Sequence, residues 1–471
     1  MPDEPHTQIQ RIQLPSPATP GSRAPTKTRG RTPSASTDSP GPVAGVWLTR
    51  LLVVGLVLAA VNLRPAITSL GALLEEVRDG LHMSGSVAGV LTSVPPFCFA
   101  LFGFAAPRLA RRFGPGAVVC AGMAAIAAGL LIRPFAGGTA GFLAASALAL
   151  MGIAVGNVLM PVIVKRYFPA RVGTMTGLYS MALALGTAVA AAVTVPMTEA
   201  LGGSWRTGLG VWAVLAALAV VPWLGLVRDR GGAASASRSP SPDLPAPASA
   251  PASASVPASV SASASVSASA SEFSELRLVR SRTAWGLACF FGLQATGAYI
   301  IMGWMPQIFR DAGISAGTAG LLLAVIMVMG VPLAFVIPRV AARMKNQGPI
   351  VIALGLCGLG AYAGLYVAPA EGAWVWAVLL GISGCSFPLA LTMIGMRSRT
   401  GAGVVRLSAF AQSTGYLISI PGPLLVGVLY QHTGGPGLPI ALMAMFLLPQ
   451  MVAGVMAGRD RTIEDEARMR D

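Results

Sequence analysis

The sequence predicts an all-α membrane protein of twelve transmembrane helices in two pseudo-symmetric six-helix bundles. Three observations carry this: a series of apolar stretches each long enough to cross a bilayer, basic residues gathered in alternate connections, and an internal repeat. Of 471 residues, 54% are hydrophobic and 11% charged, with a mean hydropathy of +0.68, which a soluble globular chain could not bury. The net charge of +15 would suggest nucleic acid in a soluble protein, so the placement of Lys and Arg decides whether that inference applies.

Residues 1–45 are rich in Pro, Ser, Thr and Arg and lack an apolar run of signal-peptide length, which predicts a disordered tail. Charge-poor spans follow at about 48–74, 86–107, 113–132, 141–164, 173–198 and 207–227, each near the ~20 residues a bilayer requires. They make an N-terminal bundle over 46–228. Residues 229–281 are mostly Ala, Ser and Pro, too poor in apolar area to offset the entropy of ordering, and read as a disordered linker. Spans at 283–309, 312–338, 346–368, 372–396, 407–431 and 438–458 make a C-terminal bundle over 282–458, with a closing tail over 459–471.

Basic residues follow the even-numbered spans: Arg108, Arg111 and Arg112, then Lys165, Arg166 and Arg171, then Arg339, Arg343 and Lys345, then Arg397, Arg399 and Arg406. The opposite connections carry Glu75, Glu76, Asp79, Glu199, Glu371 and His432, with scattered Arg78, Arg133, Arg206 and Arg310. Because Lys and Arg in short loops resist translocation, the basic connections, the linker and both termini are expected in the cytoplasm, with the chain in the inner (plasma) membrane. Topology thus accounts for the charge, and no nucleic-acid partner is expected. The five cysteines (Cys98, Cys120, Cys289, Cys357, Cys385) lie in apolar stretches without C-x-x-C spacing, as buried thiols do.

The repeat shows as matched pairs. Pro107-Arg108 matches Pro338-Arg339, Ala88-Gly89 matches Ala319-Gly320 and Arg112 matches Arg343, all 231 residues apart; Gly152-Ile153 matches Gly381-Ile382 and Gly186 matches Gly415, 229 apart. Twofold symmetry across twelve spans marks a transporter built from duplicated bundles.

The segment Asn62-Leu63-Arg64-Pro65-Ala66-Ile67-Thr68-Ser69-Leu70-Gly71 resembles the first-helix signature of the cyanate permease and 2-nitroimidazole transporter branch of the major facilitator superfamily. Ala106–Gly114, Ser204–Ala213 and Arg406–Pro423 extend the similarity over both halves. The resemblance implies the major facilitator fold and alternating-access transport of a small solute, often anionic or electron-poor. It also implies that helices one, four, seven and ten line the cavity. One departure stands out: where the wider superfamily places an Asp after helix two, this chain has Arg111, in a loop motif comprising Arg108, Arg111 and Arg112, with Arg339 and Arg343 in the second half.

Arg64 is the leading candidate for the substrate site, since a lone Arg near the centre of an apolar helix costs about 2.5–3.5 kcal/mol on insertion scales. No Asp or Glu occurs at membrane depth elsewhere: Glu75, Glu76, Glu199, Asp311 and Glu371 all fall at span ends. An unpaired guanidinium offers a planar donor fork to an anionic or strongly accepting solute. The competing reading has Arg64 capping carbonyls of a neighbouring helix or snorkelling to the headgroups. Further substrate-binding candidates are Asn62, Asn157 (counterpart Ser386), Gln294, Gln412 and Ser413, each of which taken alone reads as interhelical glue before ligand, and Tyr299, which could wall the cavity with aromatic surface. Trp304 could wall the cavity or join an interfacial belt. Pro65 would loosen helix one beside the charge, and Pro421 and Pro423 would bend helix eleven as a hinge.

The histidines (His6, His82, His432) lie outside the spans, leaving a membrane-embedded proton relay without candidates. No G-x-x-x-x-G-K-[ST] loop is present, which excludes an ATP-driven pump, and no catalytic, metal or cofactor constellation is recognisable. The expectation is a monomeric secondary transporter in the lipid bilayer, no enzyme, moving a small solute, a compact anion such as cyanate, with export of nitroimidazole-like or drug-like compounds as the alternative and a membrane-embedded enzyme or sensor as the least favoured reading.

Overall fold

The helices start where the sequence supplies caps. In the computed structural model, which describes residues 42–168, 171–236 and 278–468, the Ser84 hydroxyl accepts from the Val87 N–H at 3.3 Å and Ser315 from Thr318 at 3.3 Å. The two caps stand 231 residues apart, the offset of the repeat. Ser281 and Thr400 cap two further helices in the same way, accepting from Ala284 and Gly403. Such a cap satisfies a backbone donor that has no partner within the helix.

In chain order the helices are α1 (Pro42–Asn62), α2 (Pro65–Ala72), α3 (Leu74–Gly80), α4 (Gly85–Phe113), α5 (Pro115–Ile132), α6 (Thr139–Tyr167), α7 (Val172–Ala200) and α8 (Trp205–Ala236). After the linker come α9 (Arg282–Asp311), α10 (Ala316–Arg343), α11 (Gly348–Val367), α12 (Ala373–Gly384), α13 (Ser386–Met396), α14 (Gly401–Ser419), α15 (Pro421–Thr433), α16 (Gly437–Ala457) and α17 (Ile463–Arg468). They supply twelve spans long and apolar enough to cross a membrane. The first is α1 with α2, the tenth α12 with α13, the eleventh α14 with α15. Most of the expected tail (1–45) and linker (229–281) lies outside the described residues.

The repeat is visible in the packing. In the first half α5 packs on α6 and α8; in the second α11 packs on α12 and α16. Gly186 of α7 sits against the Val61 carbonyl of α1, and its counterpart Gly415 of α14 sits against α9, where a Cβ would meet the Ala288 carbonyl at 3.2 Å. The halves then meet along three seams: α4 on α15, α7 on α10, and α2 on α9.

Five expectations need correction. The first, tenth and eleventh spans are broken, at Leu63-Arg64, Cys385 and Ile420. Pro65 and Pro421 each occupy the first position of the new helix, where the missing N–H does no harm but cannot continue the ladder of the preceding helix. The eighth span starts at Ala316 rather than 312, because Gly313 at φ +87° forms a left-handed turn ahead of the Ser315 cap. The eleventh starts at Gly401, six residues early. Part of the closing tail is the helix α17. Finally, Arg133 and Arg397, counted as loop charges, are 1% and 2% exposed.

Candidate functional site

The break in the first span positions Arg64. Residues 63 and 64 leave the helical path, with Arg64 at φ −128°, and the Arg64 carbonyl starts α2 by accepting from Ile67 at 2.9 Å and Thr68 at 3.2 Å. The side chain is half-buried and points to the other half, within hydrogen-bonding reach of the Tyr299 hydroxyl on α9 and electrostatic reach of Tyr416 on α14. Among the described residues no carboxylate lies within ion-pair distance of it.

Aromatic rings from both halves cluster about Tyr299 and Tyr416, the two tyrosines near Arg64. Phe99 of α4 stacks on Tyr416 with centroids 5.1 Å apart and lies 6.3 Å from Tyr299. Phe291 meets Tyr416 edge-on at 5.2 Å and Phe387 at 5.6 Å. A cation facing tyrosine hydroxyls and ring edges is a site for a planar or compact acceptor, with apolar walls and few polar groups to orient it.

The remaining predicted residues divide. Tyr299 joins Arg64. Asn62 turns away: it is 2% exposed, and its amide donates to Leu58 O at 2.8 Å and Leu215 O of α8 at 3.2 Å, binding the first span to the sixth. Asn157 donates to Ile153 of its own helix at 3.0 Å. Gln294 donates to the Gly384 carbonyl freed by the tenth-span break, and accepts from Gln450 at 2.8 Å, which makes it a clamp inside the second half. Gln412 donates to Ser408 at 2.6 Å; its neighbour Ser413 is half-buried on the same helix. Pro423 is buried within α15. Arg108, Arg111, Arg112, Arg339 and Arg343 are exposed at one end of the bundle, and Arg112 covers the Phe113 ring. Trp304 neither walls this site nor joins a belt. It is fully buried, stacks on Tyr430 at 5.0 Å and donates to Thr92 of the opposite half at 3.1 Å.

That contact belongs to a seal absent from the sequence reading. At the end carrying Glu75, Glu76 and Glu371, here the acidic end, Arg310 reaches across the halves to Glu75 at 2.9 Å and Glu76 at 2.8 Å. The N–H and hydroxyl of Ser86 donate to Gln431 at 2.9 and 2.6 Å. A Cβ on Gly89 would stand 2.8 Å from the Leu424 carbonyl, and one on Gly320 2.6 Å from the Ala191 carbonyl. Glycine alone permits such approach. Toward the opposite, basic end the halves separate. Along one stripe of α7, Val195 and Ala188 are 3% and 6% exposed but Met181 is 53%; along α10, Ala319 and Ile326 are buried but Val340 is 45% exposed.

Two six-helix halves, joined at one end and parted at the other around a central cation on a broken helix, define a membrane transporter that works from between its halves. The chain belongs to the Major Facilitator Superfamily, whose sequence pattern matches residues 52–423. It is 34% identical to the uncharacterised transporter YycB of Bacillus subtilis over 89% of this chain and 96% of that one. It is 31% identical to the 2-nitroimidazole transporter of Escherichia coli over 88% and 96%, and 28% identical to the Escherichia coli cyanate transport protein CynX over 84% and 94%. The xylose transporter XylE of E. coli in its inward-open conformation superposes with a TM-score of 0.64 over 90% of this chain and 99% of that one, at 12% identity. The protein is therefore a multi-pass secondary transporter of a small solute, not an enzyme.

Proposed function

We propose that the chain carries a compact anion, cyanate-like in size, bound at Arg64 and exchanged between the two sides by rocking of the halves 46–228 and 282–458. The observation that carries this reading is the guanidinium at the helix break, without a carboxylate partner among the described residues and facing Tyr299 across the cleft. An arginine fork gains most from an acceptor that brings its own negative charge. Pro65, Pro421 and Pro423 mark the points where spans one and eleven bend. The basic end, with Arg108, Arg111, Arg112, Arg339 and Arg343, faces the cytoplasm by the positive-inside rule, so this conformation is inward-open, in the plasma membrane, with a single chain as the working unit.

A second reading has a specific support. The cluster of Phe99, Phe291, Tyr299 and Tyr416 suits a flat, electron-poor ring, and one relative is named a 2-nitroimidazole transporter. Arg64→Gln separates the two in binding measurements on purified protein. A charged hydrogen bond of about 1.5–3 kcal/mol predicts that cyanate affinity falls roughly 10- to 150-fold while 2-nitroimidazole affinity holds. Unchanged cyanate affinity in the variant would rule out the anion site.

A further inference from the structure

A second buried arginine lies beyond Tyr299 on the acidic side. Arg133 ends the third span, and its guanidinium donates to Ala66 O of α2 at 3.2 Å, two residues past Arg64. The Phe142 ring lies 5.5 Å from its charge. Nε and Nη2 are buried and have no acceptor among the described residues. Arg133 lines a cavity of about 20 Å³ with Ser146, Thr92, Tyr299 and apolar neighbours such as Leu91 and Leu150, and the Ser146 hydroxyl is likewise buried and unpartnered among the described residues.

Arg397 gives the scale of what is missing. At the other end of the bundle it is equally buried, but its Nε donates to Ala457 O at 2.8 Å, and its Nη2 donates to Gly458 O at 2.9 Å and to Gln347. A guanidinium needing only structural support thus has both Nε and Nη2 engaged in this same fold, the two nitrogens that Arg133 leaves without an acceptor. Arg133 has one carbonyl, Ala66 O, and a ring face, yet two buried donors stay without an acceptor on a residue that lines a largely apolar cavity, an arrangement that is costly unless something accepts from them.

We propose that Arg133 and Ser146 form a second, enclosed anion site, which takes a compact monovalent anion of halide size in the closed acidic-end state. A space of this size admits about one water-sized body, so a larger solute enters only as the seal opens. Tyr299 lines this cavity and also touches Arg64, which makes it the partition between two successive cations. The proposal does not depend on the substrate assigned to Arg64.

Bromide tests it directly. In crystals of the full chain equilibrated with bromide, anomalous density is expected beside Arg133 Nε and Nη2 and Ser146; an ordered water there instead overturns the site. In solution, bromide should still raise the melting temperature of Arg64→Gln saturably, and Arg64→Gln/Arg133→Met should need at least tenfold more bromide for the same shift. Loss of the whole bromide effect in Arg64→Gln alone would leave only the Arg64 site and refute the proposal. Should Arg133→Met not fold, Ser146→Leu in the Arg64→Gln background fills the cavity with the arginine intact, and the same loss is expected. An Arg64→Gln variant with unaltered cyanate affinity but an intact Arg133 response would sink the anion reading of Arg64 while leaving this one standing.

Discussion

At the acidic end backbone approaches backbone across the two halves, at Gly89 against Leu424 and Gly320 against Ala191, with Gln431 adding a polar contact over the first of these seams and Arg310 and Trp304 of α9 reaching α3 and α4 beside them. At the basic end the ties described run within one half. Glu466 of α17 accepts from the hydroxyls of Ser281 and Thr283 at 2.6 Å, Glu464 accepts from Ser398 at 2.6 Å, and Arg397 holds the end of α16. One set of contacts chooses a conformation; the other holds α9, α14 and α16 as one body that moves together. The difference teaches where a substitution should shift an equilibrium and where it should only loosen an element.

The sharpest way to break the comparison is to wedge the seam. A Cβ on Gly427 would collide with the Gly85 carbonyl and the Gly89 backbone, which cannot yield as a side chain can. Overpacking costs about 1–3 kcal/mol, and a collision with backbone that cannot yield stands at the upper end, about 2–3 kcal/mol, so Gly427→Leu should lower the closed-to-open ratio at the acidic end by roughly 30- to 150-fold. Spin labels on α4 and α15 should report a longer inter-half distance, and solute transport should collapse. An unchanged distance distribution would mean the seam does not govern closure.

The ion pair should matter less. Arg310 is 20% exposed and its partners 32–37%, so water screens it, and such pairs contribute about 0.2–1 kcal/mol. Arg310→Ala should therefore shift the same distance distribution by no more than about fivefold, well short of the glycine wedge. A shift as large as that of Gly427→Leu would show that charge, and not close packing, holds this end.

Span number and the repeat were legible because both are local: bilayer length, turn residues and matched motifs survive without tertiary information, and the Ser84 and Ser315 caps fall on the repeat offset. Arg64 was legible as an isolated charge in an apolar run. Its neighbour Pro65 announced the first break, whereas the tenth-span break at Cys385 is marked by Pro388, which has no N–H to return to Gly384 and was not singled out in the sequence. Arg133 escaped because charge counting assigns any arginine at a span end to the loop, although its 3-10 turn folds it back over Ala66. Trp304 with Thr92, and Gln294 with Gln450, are pairs distant in sequence that no periodicity links. Asn62 stood between ligand and interhelical glue for a related reason: a polar residue at membrane depth shows that it needs a partner, not which side of the helix supplies it.

The basic end offers the smallest effect and tests whether α17 belongs to one half alone. Partial burial would raise the carboxyls of Glu464 and Glu466. Hydrogen bonds outweigh it, from Ser398, the backbone and Thr462 at Glu464 and from Ser281, Thr283 and the backbone at Glu466, and hold both below the ordinary carboxylate range. A depressed carboxylate contributes its stability above its unfolded pKa and loses it as pH falls through the folded one. The protection factors of amides in Ile463–Arg468 and at the start of α9 should therefore fall only as pH drops below about 4. Glu464→Gln/Glu466→Gln should show low protection already at neutral pH, with no further loss in acid and with the spin-label distance across the acidic end unmoved. If that distance did change, α17 would be coupled to the seam between the halves, and the separation of roles between the two ends would fail.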